Sequence, residues 1–203
     1  MRHLLVPVVL TACVVGACTP AVEEPTTAPP PSPTVSVSAS PSPTPDPSPS
    51  PTVAESFPPA PASESADQAA VRAAWMEYWR VHDKFTSDPT LSDLTETQNI
   101  TTGDQMNLIL DSIAQLRERK LRSLGGFGFR DVVISPAETT EDGRRAAVVE
   151  YCLDRRGLRL QNFETGEEVP VQGAPTYREQ TTLKESADGR WRVAEIRNQE
   201  ATC

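Results

Sequence analysis

The sequence predicts an α+β domain, N-terminal helices packed on one face of an antiparallel sheet, preceded by a disordered tether. Three observations carry this. Fifteen of the 20 prolines lie between Pro20 and Pro61, where frequent rings remove backbone donors and block both helix and sheet. From Val71 to Leu124 apolar residues recur at helical spacing. From Phe127 onward they alternate, or run in short β-branched stretches between turn residues. The chain divides into residues 1–17 as a lipoprotein signal peptide, 18–66 as a lipidated cysteine and tether, and 67–203 as one globular domain.

The N-terminus opens on Met1-Arg2-His3, a short basic region, and continues as an apolar stretch to Ala17. That stretch is shorter than the ~20 residues of a membrane-spanning helix, so it reads as a cleaved signal. Val15-Gly16-Ala17-Cys18 resembles the bacterial lipobox, in which small residues precede the cysteine whose thiol accepts diacylglycerol. Leu10-Thr11-Ala12-Cys13 fits the same pattern. Cleavage there would leave an apolar region of only about seven residues, so Cys18 is the better lipidation site. Two or three acyl chains, at about 0.8 kcal/mol per buried CH₂, anchor a protein stably. The reading is therefore a palmitate-type lipid anchor on Cys18, with the membrane as partner and the outer face of the cell membrane as location.

From Thr19 to Ser65 the chain is Pro, Ser, Thr, Ala and Val with little else. Such a segment favours extended polyproline II at ~3.1 Å per residue, a reach on the order of 100 Å. It would serve as a spacer through cell-wall polymer, with Ser and Thr available for O-linked sugars.

In the globular part, Ser65 is placed to cap a helix beginning near Asp67. Val71, Trp75, Tyr78, His82 and Phe85 form its apolar stripe, broadened by Ala74 and Trp79, and Pro89 ends it. A short helix is predicted over 91–98. A longer one follows, capped by Thr102 or Asp104, with Met106, Ile109, Leu110, Ile113, Leu116, Leu121 and Leu124 on one face and Gly125-Gly126 as its stop. Phe127, Phe129 and Val132-Val133-Ile134 read as a strand closed by Pro136. A turn at Glu141-Asp142-Gly143 leads into residues 144–155, where Ala147, Val149, Tyr151 and Leu153 alternate with Ala146, Val148, Glu150 and Cys152. A polar excursion follows, with turns at Gly157, Thr165-Gly166 and Gly173-Ala174-Pro175. Residues 177–186 and 190–198 then pair around Ala187-Asp188-Gly189.

The helix-loop-helix start, Ala147-Val148-Val149-Glu150-Tyr151-Cys152-Leu153-Asp154 before a Gly-bearing loop, and Asp188-Gly189-Arg190-Trp191-Arg192-Val193 before Cys203 resemble actinobacterial secreted lipoproteins with an NTF2-like (SnoaL-like) domain. The resemblance implies a curved antiparallel sheet wrapped round a long helix, a cone whose mouth is often a pocket. It implies no particular activity, because one fold hosts many functions.

With Cys18 acylated, Cys152 and Cys203 are the thiols left in the domain, and in an oxidising compartment they should form a disulfide. A redox pair would take the Cys-x-x-Cys form at a helix start, which is absent.

From Asp67 onward 18 Lys and Arg face 23 Asp and Glu, interspersed rather than segregated, which argues against nucleic acid as a partner. After the signal, His82 is the one histidine, so multi-histidine metal sites are excluded and no metal or other cofactor is expected. Gly125-Gly126-Phe127-Gly128 sits between a helix and a strand, the wrong context for a phosphate cradle. Neither Gly-x-Ser-x-Gly nor Ser-x-x-Lys occurs, so no catalytic residue is assigned. What remains is an aromatic group, Trp75, Tyr78, Trp79, His82, Tyr151 and Trp191, as a candidate pocket at the cone mouth. In SnoaL-like enzymes a His/Asp pair inside the cone acts as acid and base, and His82 could do so with Asp83, Asp154 or Glu195. The ordinary reading is that His82 and the aromatics simply pack where helix meets sheet.

Three function classes therefore stand: a non-enzymatic accessory lipoprotein binding an envelope protein or wall component, a module binding a small apolar ligand in the cone, and a cofactor-independent enzyme using His82. A side-chain-filled cone favours the first, an open apolar cone the second, and His82 facing a carboxylate across a cavity the third. Oligomeric state is not legible.

Overall fold

A computed structural model describes residues 57–203. The signal peptide, Cys18 and the tether up to residue 56 lie outside the described residues.

Three helices open the domain: α1 (Ala66–Ser87), α2 (Glu96–Ile100) and α3 (Gln105–Glu118). Ser65 caps α1 as predicted, its hydroxyl accepting the Gln68 N–H while the Gln68 side chain accepts the Ser65 N–H. The Gln68 amide also donates to the Ile134 carbonyl at 2.8 Å, which ties the helix start to the sheet. α1 stops at Ser87, just before Pro89. α2 begins later than expected, because Leu91 and Leu94 pack against the core from an irregular segment.

The strands are β1 (Leu121–Leu124), β2 (Gly128–Ile134), β3 (Glu138–Thr139), β4 (Arg145–Asp154), β5 (Arg159–Asn162), β6 (Glu168–Val169), β7 (Thr176–Glu185) and β8 (Trp191–Glu200). The larger sheet has the order β2-β4-β7-β8, with β3 also on β4, and all its pairs are antiparallel. Its register shifts between Arg130 and Val133 and again between Thr182 and Leu183. Bulges of this kind bend a strand, and the sheet curves with the helices packed against it. The predicted α+β architecture is the one found.

Two sequence expectations are corrected. The long third helix does not reach Leu124. It ends at Glu118, Lys120 takes a positive φ of 58°, and Leu121–Leu124 become a strand. Leu121 and Leu124 satisfy helical spacing, but a four-residue segment has no decisive period, and pairing with β5 some forty residues away wins. That pairing builds a second sheet, β1-β5-β6, whose β5 and β6 lie inside what read as a polar excursion.

The second correction concerns the tether boundary. Phe57 stacks on Phe129, with ring centroids 4.7 Å apart, and meets Trp75 edge-on at 5.4 Å. Glu64 forms an ion pair with Arg72 at 2.5 Å, both side chains nearly buried. The folded unit thus takes in residues assigned to 18–66, because a lone Phe among prolines shows no periodicity until its partners are in place.

Cys152 and Cys203 are joined by a disulfide, as expected. It lies on the sheet face opposite the helices, since Cys152 is out of phase with the core residues Val149, Tyr151 and Leu153, and Arg130 donates to the Cys203 carbonyl beside it at 2.7 Å.

Candidate functional site

The aromatic group does not form a pocket. Trp75 and Tyr151 are fully buried, their rings 5.0 Å apart, and Phe129 closes on both. Trp79 fits between Tyr78, Phe129 and Phe127 at 5.4, 5.3 and 5.1 Å. Trp191 is buried under the Arg145 guanidinium, 5.6 Å from its ring, in a separate place. Trp75, Tyr78, Trp79, Tyr151 and Trp191 are therefore core, not pocket wall. Trp75, Tyr78, Trp79 and Tyr151 interlock with Phe129 between α1 and the larger sheet.

Beside this interior lies a carboxylate that sequence reasoning missed. Glu179 on β7 is 4% exposed and accepts the Tyr151 hydroxyl at 2.7 Å, and the Tyr151 oxygen also lies 3.0 Å from the Thr181 hydroxyl. Burial pushes the Glu179 carboxyl up to about 7, opposed by the Tyr151 hydrogen bond and the Arg155 charge. Tyr78, whose hydroxyl accepts from Gln105 at 2.9 Å, has its phenol raised, again by burial. The signal for Glu179 was present: it falls in phase with Thr181 and Leu183, on the inward side of its strand.

His82 departs from the rest of the group. One turn past Tyr78 it borders a cleft of about 390 Å³ between α1, α3 and the β1-β5-β6 sheet. Leu108, Leu116, Phe127, Leu158 and Leu160 supply its apolar wall, and Asp111, Arg119 and Arg155 its charges. Two loops frame it by close approach. Gly125, at φ +75°, leaves no room for a side chain, because a Cβ there would sit 2.1 Å from the Gly157 carbonyl oxygen. Phe127 and Leu158, which follow these glycines in the chain, lie on the wall. Thr86 and Ser123, also on it, are hydrogen-bonded to each other at 2.9 Å.

The chemistry available to His82 is limited. Burial alone lowers its pKa to about 4, so it is neutral near pH 7, and no carboxylate acts on it. Its Nδ1 is buried without a hydrogen-bond partner. Of the partners considered, Asp83 is the next residue on the helix and makes no hydrogen bond to the imidazole. Asp154 is held by Arg156, which lowers its pKa to about 2, and Glu195 binds Arg197 at 2.7 Å. An acid–base pair needs two groups in hydrogen-bond reach with separated pKa values, and among the described residues His82 has no such mate. Among the described residues no group of three His, Cys, Asp or Glu could hold a metal ion. No described helix is long and apolar enough to cross a membrane.

No protein-family model and no curated protein matches the sequence. Solved structures with a similar arrangement include the intermembrane-space region of the chloroplast protein ARC6 (12% identity, 68% of this chain and 100% of that one, TM-score 0.47). Another is a ketosteroid isomerase-like protein from Erwinia carotovora atroseptica (17% identity, 69% and 100%, TM-score 0.42). A periplasmic fragment of TraM aligns with 12% identity over 64% of this chain and 98% of that one, TM-score 0.40.

Proposed function

We propose that this chain is a tethered extracytoplasmic binding protein, held by lipid on Cys18, spaced from the membrane by its Pro/Ser/Thr segment, and acting through its cleft without transforming what it binds. The observation that carries the reading is the division of space inside the domain. The cone interior is filled by interlocked rings, while the neighbouring cleft is open and its one histidine is neutral and lacks an acid–base partner. A proton-shuttling role would need a group hydrogen-bonded to His82, and among the described residues none is, whereas a cleft of this size with an apolar wall and a few charges suits ligand capture. The Cys152–Cys203 disulfide supports an oxidising location.

The anchor is tested by metabolic labelling with a clickable palmitate analogue. Wild type is expected to carry label and fractionate with membranes, and Cys18→Ser to lose both. Label that persists in Cys18→Ser and disappears in Cys13→Ser would move the site to Cys13, and no label in either form would remove the lipid anchor altogether.

A further inference from the structure

Three clefts on the described domain differ in what their charges are doing. One of about 520 Å³ near the start of α3 contains Arg144 and Lys184, but both pair with Asp142. One of about 300 Å³ over β7 and β8 is lined by polar and charged groups with no apolar side chain among them. The His82 cleft alone of these three joins an apolar wall to guanidinium groups that make no hydrogen bond or ion pair with a carboxylate of the described residues. Arg119, at the end of α3, is exposed, and its side chain has no hydrogen bond or ion pair with any described residue. Arg155 touches only neutral acceptors, the Tyr177 hydroxyl at 3.3 Å and the Gln172 carbonyl at 3.2 Å, with its guanidinium stacked over the Tyr177 ring. Glu179 acts on Arg155 from the interior but spends its hydrogen bond on Tyr151.

We propose that this cleft binds a single-chain amphiphile with one carboxylate head, its chain on Leu108, Leu116, Phe127, Leu158 and Leu160 and its head between Arg119 and Arg155. The proposal rests on the reading of the domain as a binding module and names the ligand class of that same site. The sign of its charge favours it. Asp111 offsets one of the two guanidinium charges on the wall, so the cleft carries one net positive charge, which matches a monoanion better than a phosphate dianion. A guanidinium presents a planar fork that fits a carboxylate with two parallel hydrogen bonds. Leu108 is 56% exposed at the rim, an apolar surface that a bound chain would cover.

The test is isothermal titration of the chain from residue 18 onward, carrying C18S so that no acyl chain competes, with decanoate and with 1-decanol. Decanoate is expected to bind at least tenfold more tightly than decanol. Arg119→Gln, at an exposed site where folding is not at risk, should weaken decanoate at least fivefold and leave decanol unchanged, and Arg197→Gln on the far sheet face should change neither. Raising salt should shrink the preference. Equal affinity for the two probes, or an Arg119→Gln variant that binds decanoate like wild type, would overturn the carboxylate inference while leaving a binding module. Absence of binding by both probes would overturn the amphiphile as a class. Chemical conversion of decanoate during the titration would instead overturn the non-catalytic reading on which the inference rests.

Discussion

One helix, α1, borders two regions of opposite character. Toward the larger sheet, Val71, Trp75, Tyr78 and Trp79 meet Phe129, Tyr151 and Leu153 in a close-packed interior. A turn further along, His82 and Thr86 border the cleft, with Leu108 exposed at its rim. The difference comes from what faces the helix. The larger sheet presents long strands with alternate side chains inward, enough to cover every ring. The smaller sheet has strands of four, four and two residues, too short to close over α3 and α1. Aromatic density in a helix therefore says little about a pocket, and the length of the opposing strands decides whether the space is filled.

The comparison breaks most readily at Trp75. Replacement by Ala should cost about 3–5 kcal/mol, read as a fall in the urea midpoint with an unchanged slope, because a large buried ring leaves a cavity its neighbours cannot fill. Leu116→Ala on the cleft wall, where the side chain is only half-buried, should cost about 1 kcal/mol. Equal losses at the two positions would mean that the cleft is packed as firmly as the interior. Loss of the disulfide, in a Cys152→Ser/Cys203→Ser variant, should cost up to about 4 kcal/mol for a separation of 51 residues. An unchanged melting midpoint would show that the C-terminus is held without it.

Two ionisable groups with shifted pKa values, one from each region, sharpen the contrast through pH. Glu179 has its pKa raised to about 7, so the folded state holds its proton more tightly than the unfolded one, and stability falls as pH rises from the ordinary carboxylate range through 7. His82 has its pKa lowered to about 4, so its contribution is complete above about 6.5 and is lost as pH falls toward 4. The two slopes oppose each other between roughly pH 4.5 and 6.5 and should nearly cancel. Glu179→Gln keeps an acceptor for Tyr151 and removes one slope, so the variant should gain on the order of 2 kcal/mol at pH 8 and show stability rising with pH below 6.5. A variant no more stable than wild type at pH 8 would mean that water reaches the carboxylate. His82→Ala should lose about 1–3 kcal/mol at pH 7 if the ring packs against Tyr78, Trp79 and Phe127 as the structure has it. Stability equal to or above wild type would assign the residue to the cleft's function instead of its wall. The smallest effect is expected at Leu108, where Leu108→Ser should leave the urea midpoint within about 0.5 kcal/mol of wild type, since the side chain is already 56% exposed.

Much of the larger sheet was legible along the chain. Strand β4 alternates cleanly through Ala147, Val149, Tyr151 and Leu153, and the β7–β8 hairpin declares itself at Ala187-Asp188-Gly189, where Gly189 takes a φ of 75°. The Ser65–Gln68 cap could be read because both partners lie within one turn. Leu121–Leu124, by contrast, carried a helical spacing that only β5 could overrule, and β6 at two residues gave no pattern at all. The candidate pocket failed for a related reason. Helical spacing identified the face that Trp75, Tyr78, Trp79 and His82 share, but a shared face is equally consistent with core and with cavity.

Residue chemistry alone determined the signal-like N-terminus, the Pro/Ser/Thr segment, the pairing of the two domain cysteines and the order of helices before strands, because each rests on neighbours in sequence or on simple elimination. Tertiary structure decided the rest. Phe57 became part of the core only when Phe129 and Trp75 came within reach, and Glu179 became an interior acid only when β4 put Tyr151 opposite it. Arg119 and Arg155 met at one cleft only because β1 paired with β5. These are contacts between segments tens of residues apart, and their energies come from burial and distance, which a linear pattern does not contain.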